Sequence, residues 1–429
     1  MLNHPSQACC IPRYEHRVDR TTVGLGNVTP ALTGRFNINV SGPGPGPGPN
    51  PGPQLAGGAP MAQTPACNPC QYDPLYNPPC PAPCPAPLVP ADPFTTRRAV
   101  ATWKVNYLIS NRSNQAAHLD QELVNPWGIA VYNNQLWVVN NYTDRITNYD
   151  LFGNRLLGSI SVRDAVQDST FPTGLAINCG SGFNVTNGNF TKAGLFVIST
   201  EAGTVTVYNP NVDQLNSFLI LNNQLTGDIA KYKGLAIAHG ILYLADFFQS
   251  HIDVFDSAYN RLLGYHFIDG DTSDPIPLDY GPVNIVHIGC HMYVLWAKKD
   301  PNVTIHSIEG PGLGYISVFN PDGSFVRRFT SRGVLNNPWA MIPAPCECGF
   351  PPGSFIVSNH GDGRCNVFDC NGRYVGPLLN QDGLPLTITG IRGLAPYYTD
   401  FNEIFFTAAY EEDIEGLVGS FVRDQIIYF

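Results

Sequence analysis

The phrase Asn125-Pro126-Trp127-Gly128-Ile129-Ala130 decides the fold, because altered copies of it return five times downstream. The copies lie at 171–176 (FPTGLA), 232–236 (YKGLA), 281–286 (GPVNIV), 337–342 (NPWAMI) and 391–395 (IRGLA). A phrase that returns about every 45 to 60 residues is typical of a repeat architecture. The phrase therefore marks one element of a repeating unit.

The chain divides into two parts of different composition. Of its 38 prolines and 12 cysteines, 21 prolines and six cysteines lie before residue 101. That segment has six Arg, no Lys and four acidic residues, so its net charge is +2. Since the whole chain has a net charge of −10, the remainder has a net charge of −12. An acidic folded part argues against binding to nucleic acid, which needs cationic contacts with phosphates, and against an anionic membrane surface.

Two kinds of targeting signal bear on where the chain resides. No run approaches 18 consecutive apolar residues, so no transmembrane helix is predicted. The first residues lack the basic region and apolar core of a signal peptide. We therefore expect that the protein is cytosolic, that it leaves the cell by an unusual export route, or that it is a component of a particle or extracellular surface assembly.

Residues 1–100 predict an extended Pro/Gly/Cys-rich tail, with short strands at 23–40. The stretch at 42–49 alternates Gly and Pro with a period of two, whereas collagen needs Gly at every third place. A linker that proline stiffens and glycine interrupts is the better interpretation.

The tail cysteines suggest either a zinc site or cross-links. The spacings C-x2-C and C-x3-C resemble zinc-binding patterns. The prolines around them and the short interval between the pairs favour disulfide or thiol-mediated cross-links instead. The cross-link candidates, three of them in the later part of the chain, are Cys9, Cys10, Cys67, Cys70, Cys80, Cys84, Cys290, Cys346 and Cys348.

From Trp103 onward, short apolar runs with period-two alternation are separated by Gly, Asn, Asp and Pro, which is the pattern of an all-β protein. The first repeat predicts four strands at 127–132, 135–140, 145–150 and 155–162. The third repeat predicts strands at 234–238, 241–246, 251–255 and 262–268. Four short antiparallel strands joined by hairpins make one propeller blade.

The predicted fold is thus a six-bladed β-propeller with four-stranded antiparallel blades over 101–429, after the low-complexity tail. The blades start near 127, 173, 233, 283, 339 and 392. The sixth repeat lacks a good outermost strand, and residues 103–110 have no blade of their own. We expect 103–110 to close the last blade, with 425–429 as a competitor for that place.

Specific stretches also carry a resemblance to a known family. They include DQELVNPWGIA (120–130), YKGLAIAHGILYLADF (232–247), GPGLGYISVFNPDGSFVRRF (310–329) and SNHGDGRCNVFD (358–369). In order along residues 103–422, they resemble a mostly bacterial family of six-bladed propellers related to NHL repeats. The resemblance implies the fold and no activity, substrate or catalytic residue.

The first strands of a propeller surround its central channel. The residues expected to line that channel or meet a ligand there are Trp127, Lys233, Asn284, Trp339 and Arg392. Trp, Thr, Lys, Val, Trp and Arg stand at the same place in the six copies. Lys233 and Arg392 could attract an anion. The glycine that follows in most copies is interpreted as architectural, since it allows neighbouring strands to approach closely.

A metal site is the alternative hypothesis. Metal-dependent lactonase propellers hold a divalent cation, commonly Ca²⁺, with Glu, Asn and Asp side chains from different blades, and oxygen ligands suit Ca²⁺. The residues that could take those parts are Glu201, Asp246, Asn284 and Asn359. The competing interpretation is that these side chains cap strand ends and turns.

No catalytic motif was found, which favours a non-enzymatic role. We interpret the chain as a binding or scaffold propeller that its arm tethers to a larger assembly such as a virion or surface structure. Its expected partners are proteins, either further copies or another component, bound through the tail and a loop face. A glycan is a second candidate ligand. The alternative is a metal-dependent hydrolase of the lactonase-like class.

Overall fold

Six β-sheets, each adjacent to the next, and one separate two-stranded hairpin build the described part of the chain. A computed structural model describes residues 99–162, 169–223, 229–303, 305–345, 349–397, 403–410 and 413–428. The inner strand of each sheet contacts the inner strand of the next, and the sixth contacts the first, so the ring is closed. The predicted six-bladed all-β propeller is confirmed. Residues 1–98 of the tail, with its predicted strands at 23–40 and its six cysteines, lie outside the described residues, as do Cys346 and Cys348.

The strands follow the repeats in order. The described chain opens with β1 (Ala99–Ser110) and β2 (His118–Leu119). Blade 1 contains β3 (Pro126–Tyr132), β4 (Gln135–Asn140), β5 (Arg145–Asp150) and β6 (Ile160–Ser161). Blade 2 contains β7 (Pro172–Ile177), a separate hairpin of β8 (Asn184–Asn187) and β9 (Phe190–Ala193), and then β10 (Phe196–Thr200), β11 (Thr204–Tyr208) and β12 (Phe218–Asn222). Blade 3 contains β13 (Tyr232–Ala238), β14 (Ile241–Asp246) and β15 (His251–Asp256).

The second half continues in the same way. Blade 4 contains β16 (Tyr280–Ile288), β17 (His291–Lys298), β18 (Tyr315–Phe319) and β19 (Phe325–Ser331). Blade 5 contains β20 (Pro338–Pro343), β21 (Phe355–Asn359), β22 (Cys365–Phe368) and β23 (Tyr374–Pro377). Blade 6 contains β24 (Ile391–Pro396), β25 (Glu403–Tyr410) and β26 (Glu415–Tyr428).

Blade 6 also contains strands from the other end of the propeller. The order in its sheet is β24-β25-β26-β1-β2, and β1 runs antiparallel to β26 from the pair Ala99–Tyr428 to the pair Ser110–Leu417. Residues 425–428 therefore pair with β1 and do not take its place. Because the first and last strands share one sheet, the ring is held by backbone hydrogen bonds at its closure.

Blade 3 departs from the pattern. Its sheet has three strands, and the described residues 262–268, which were predicted to form the outer strand, are not a strand. The backbone follows β15 only briefly, through a bridge between Phe255 and Arg261 and a 2.8 Å hydrogen bond from Leu262 N to Val254 O. The outer edge of this blade is thus irregular.

The repeated phrase forms a β-bulge. In blade 1 Pro126 pairs with Asn140 and Ile129 pairs with Val138, so Trp127 and Gly128 share one opposite residue. Register shifts at the corresponding phrase occur in the other five blades. A bulge inserts one residue and changes the direction of its side chain. The residues at the bulges are Trp127, Thr173, Lys233, Val283, Trp339 and Arg392.

The glycine after the bulge faces the neighbouring blade. A Cβ atom on Gly128 would lie 2.9 Å from Leu175 N and 3.0 Å from Thr173 O, and both of these atoms belong to blade 2. A Cβ atom on Gly393 would lie 2.5 Å from Trp127 O in blade 1. The predicted role of these glycines in close strand approach is confirmed.

Buried hydroxyl groups link some bulges across blades. In blade 6 Thr407 Oγ1 accepts a 3.0 Å hydrogen bond from Gly393 N and donates a 2.6 Å bond to Trp127 O of blade 1. In blade 5 Ser358 Oγ accepts from Ala340 N and donates to Arg392 O of blade 6. The hydroxyl groups thereby satisfy backbone atoms that the bulges remove from the sheet ladder.

Candidate functional site

The bulges of four blades bring a compact aromatic and cationic cluster to the axis. The rings of Trp127 and Trp339 meet edge to face, with centroids 4.7 Å apart. Lys233 Nζ lies 4.7 Å from the centroid of the Trp127 ring, and Arg392 Cζ lies 4.5 Å from it. All four residues are buried. We call Trp127, Trp339, Lys233 and Arg392 the axial plug, because their side chains fill the place where a channel was expected.

Both cations of the axial plug have carboxylate partners. Lys233 Nζ forms an ion pair with Glu201, and Arg392 Nη2 donates a 2.8 Å hydrogen bond to Asp413 Oδ1. Buried charges are tolerated in an interior when they are paired in this way. An anion that approached Lys233 or Arg392 would compete with these carboxylates, so the predicted anion site has little support from the geometry.

Asparagine side chains fix the position of Trp127. Trp127 Nε1 donates a 2.9 Å bond to Asn125 Oδ1, and Asn125 Nδ2 donates to Asn141 Oδ1 at 3.2 Å. Asn141 Nδ2 in turn lies 3.3 Å from Glu201 Oε2. The indole is therefore joined to the Glu201–Lys233 ion pair by a chain of hydrogen bonds.

Titratable groups next to Arg392 respond to its charge. Burial and the charge of Arg392 lower the pKa of His360 to about 3, so this imidazole is neutral near pH 7. Burial alone would raise the pKa of Asp413, but the Arg392 guanidinium outweighs it and lowers that pKa. Burial and the charge of Asp413 raise the pKa of Glu309, whose carboxylate lies 3.6 Å from His360 Nε2.

Asn284 lies at the axis but differs from the other predicted channel residues. It occupies the place that glycine has in most blades, and its Nδ2 donates a 2.8 Å hydrogen bond to Trp339 O. It therefore connects blades 4 and 5 through a backbone carbonyl.

The structure gives the four predicted metal ligands separate surroundings. Among the described contacts, no hydrogen bond or ion pair joins any two of them. Their partners are Lys233 and Asn141 for Glu201, the Lys231 and Gln249 backbone N–H groups for Asp246, the Trp339 carbonyl for Asn284 and the Val334 carbonyl for Asn359. A Ca²⁺ site made of these residues stays a prediction.

The loops before the inner strands and after the second strands share one face, because those strands are antiparallel neighbours. We call it the loop face and define it by its exposed apolar residues, which are Tyr142, Phe171, Ile229, Leu278 and Ile414. Leu278 is 98% exposed and Ile229 is 61% exposed. The rings of Tyr142 and Phe171 contact each other, with centroids 6.3 Å apart.

Three of the four described cysteines are oxidised. Cys179, Cys290 and Cys370 are disulfide-bonded, and Cys365 is free and buried. Burial raises the pKa of the Cys365 thiol far above its usual value, which leaves it a poor nucleophile. Cys290 is thus in a disulfide, and the cross-links predicted for the tail cysteines, Cys346 and Cys348 stay a prediction.

A cluster in blade 3 was missed by sequence reasoning. Ligating atoms of Asp246, His251 and Asp253 lie within 4.8 Å of one another. In the sequence, residues 251–255 indicate only a strand, and Asp246 alone of the three stands out as a possible metal ligand. Aligning the ends of the second and third strands across blades would have revealed the change of residue type there.

Comparison with known proteins identifies the relatives of this chain. "Uncharacterized protein R648" from Acanthamoeba polyphaga mimivirus is 69% identical over 338 residues, which cover 79% of this chain and 84% of that protein. "Uncharacterized protein L690" from the same virus is 68% identical over 338 residues, covering 79% and 90%. The chain belongs to the family of these mimivirus proteins. No family model matches.

A third protein is similar over part of its length. "Uncharacterized protein R640" of the same virus is 33% identical over 302 residues, and the match covers 56% of its length. The relatives found in this comparison are viral, so they give no support to a mostly bacterial family.

Solved structures support the fold alone. A structural genomics protein of unknown function from Bacteroides thetaiotaomicron superimposes with a TM-score of 0.50 and 14% identity over 75% of this chain and 76% of that one. A gluconolactonase from Xanthomonas campestris reaches a TM-score of 0.43 with 12% identity over 79% and 99% of the chains. The lactonase similarity is too low to carry an argument about activity. Among the described residues, no helix is long and apolar enough to span a membrane.

Proposed function

We propose that this protein is a non-catalytic scaffold of a virus particle, which binds another protein through the loop face while its N-terminal arm attaches it to the assembly. The observation that carries the proposal is the axial plug. The axis is where a propeller would receive a small ligand, and here it is filled by Trp127, Trp339 and two ion-paired cations.

The loop face supports a protein partner. Single exposed apolar residues are ordinary, but several on one face favour an interaction surface. Leu278 and Ile229 expose most of their side chains there, and Glu309, in the loop that follows β17, has a carboxylate that is 51% exposed. Loops held on a rigid scaffold commonly carry binding functions. The partner best matched to this surface is a protein with apolar and basic side chains.

The relatives support the viral setting. Proteins 69% and 68% identical to this chain are encoded by a mimivirus. The disulfide-bonded cysteines agree with a protein that persists outside the reducing cytosol. Cross-links through the tail cysteines extend this proposal to the arm.

Quantitative mass spectrometry of purified particles tests the proposal. We expect the protein to copurify with particles of the virus that encodes it, at many copies per particle, and to shift to larger species on non-reducing gels. A capsid protein serves as the reference for copy number. Recovery only from the soluble fraction of infected cells, with none in washed particles, would exclude the scaffold role.

A further inference from the structure

Three equivalent positions in the repeat change residue type together in blade 3. They are the last residue of the second strand, the residue paired with it on the third strand, and the residue two places later. Blade 1 has Asn140, Arg145 and Thr147 there, and blade 5 has Asn359, Arg364 and Asn366. Blade 3 has Asp246, His251 and Asp253. Amide, guanidinium and hydroxyl groups are replaced by two carboxylates and an imidazole, all of which bind metals.

The three side chains of blade 3 are close enough to share an ion. Their ligating atoms lie within 4.8 Å of one another, and His251 Nε2 is 3.1 Å from Asp253 Oδ1. Tetrahedral Zn²⁺ with bonds of about 2.0–2.1 Å needs ligand atoms about 3.3 Å apart. The pair His251 Nε2 and Asp253 Oδ1, 3.1 Å apart, already has nearly this spacing. The ligating oxygen of Asp246 lies within 4.8 Å of both atoms, so it has only a short distance to move.

Asp246 supplies an independent indication of a ligand. Its side chain is fully buried, and its Oδ1 accepts hydrogen bonds from Lys231 N and Gln249 N, each at 3.1 Å. Its Oδ2 is buried and has no hydrogen-bond partner among the described residues. A buried carboxylate oxygen without a partner is costly, and a cation would remove that cost.

We propose that Asp246, His251 and Asp253 form a structural metal site for Zn²⁺ or a related transition-metal ion in blade 3. One imidazole nitrogen with two carboxylate oxygens suits such an ion, whereas Ca²⁺ favours six to eight oxygen ligands. The site lies between the second and third strands of the blade that lacks a regular outer strand. The ion would hold the edge of that blade where backbone pairing is missing. The proposal is independent of the scaffold role.

One cation competes for this site. Arg261 forms an ion pair with Asp253, and Tyr232 Oη donates a 2.7 Å hydrogen bond to Asp253 Oδ2. The Arg261 side chain is 37% exposed, so it can turn toward solvent when the metal enters. The two carboxylates would then balance the charge of a divalent ion.

Isothermal titration of the untagged full chain with ZnCl₂, after treatment with a chelator, tests the proposal. We expect one equivalent of Zn²⁺ that is lost in the triple variant Asp246→Asn/His251→Arg/Asp253→Thr, which recreates the blade 1 residues. His251→Ala should weaken binding at least about tenfold, because even outer-sphere partners of metal ligands matter by 10–100-fold. His266→Ala, at an exposed position in the same blade, is the matched control and should bind like wild type.

Arg261→Ala separates a metal site from a purely structural ion pair. If Arg261 competes with the metal, Arg261→Ala should lower the Kd for Zn²⁺ about threefold or more. This factor corresponds to the usual strength of a partly exposed ion pair, which the metal no longer has to break. The tail cysteines are the same in every variant, so any zinc they bind cancels in the comparison. Equal Zn²⁺ stoichiometry and affinity in wild type and the triple variant would overturn the proposal.

Discussion

Replacing Trp127 with alanine should lower the free energy of unfolding by about 3–5 kcal/mol, the usual range for truncating a large aromatic residue in a packed interior. The indole is 7% exposed and contacts Trp339, Lys233 and Arg392 at once. Its loss would open a cavity and leave two buried cations without the aromatic ring that they face. Chemical denaturation, followed by intrinsic fluorescence and circular dichroism, measures the change.

Two further variants make this result interpretable. Trp127→Phe keeps an aromatic ring and should lose clearly less stability than Trp127→Ala. Phe152→Ala removes an aromatic ring that is 70% exposed and should change stability by no more than about 0.5 kcal/mol. If Trp127→Ala were as mild as Phe152→Ala, the axial plug would not be a structural element.

The second large effect is expected in blade 4, where Asp269→Asn should destabilise the protein by about 3–5 kcal/mol near pH 7. Arg328 holds Asp269 with two hydrogen bonds, Nε to Oδ2 at 2.9 Å and Nη2 to Oδ1 at 2.8 Å. Both side chains are almost fully buried, at 7% and 6% exposure. The substitution would leave the buried Arg328 charge with only the more distant Asp274 carboxylate, 3.8 Å from Nη1.

The same pair predicts the pH dependence of stability. Burial alone would raise the pKa of Asp269, but hydrogen bonds from Arg328 and Ser317 outweigh it and lower the pKa below 3.8. The pair therefore contributes fully above the unfolded pKa of about 3.9, and this contribution is lost as the pH falls through the lower folded value. The stability difference between wild type and Asp269→Asn should shrink below about pH 4.

Controls separate the ion pair from general effects. Asp382→Asn, at an exposed position, should change stability little at any pH. The double variant Asp269→Leu/Arg328→Met removes both charges and should lose less stability than Asp269→Asn. A stability difference that stayed constant from pH 7 to pH 3 would contradict the assigned role of Asp269.

The fold was predictable because its signals are local. The repeated phrase, the alternation of apolar residues and the turn residues all act within a few positions, and together they predict strands and their count. The outer strand of blade 3 was predicted wrongly at 262–268. Alternation of apolar and polar residues shows only that a segment could be a strand. Whether it pairs depends on how its side chains pack against those of the neighbouring strand.

The candidate site was predictable only in part. Trp127, Lys233 and Arg392 were expected at the axis because the repeat places their strands there. The partner of Lys233 lies 32 residues away in another blade, and Glu201 was interpreted as a metal ligand because sequence gives no distances. Asp413 and the Asp269–Arg328 pair were missed for the same reason, whereas the cluster around Asp253 lies within one blade and is visible when the strand ends are aligned. Contacts between repeats depend on register and bulges, which are tertiary features.

The scaffold proposal is tested most directly by comparing particle incorporation of a loop-face variant and an axis variant. Ile229→Asp/Leu278→Asp changes two exposed residues, and Lys233→Met/Glu201→Gln removes the ion pair of the axial plug while preserving side-chain size. If the protein works through its loop face, the first variant should fold and be missing from purified particles, while the second should be incorporated at the wild-type level. Normal incorporation of the loop-face variant, with loss of a folded axis variant, would contradict the proposal and place the function at the axis.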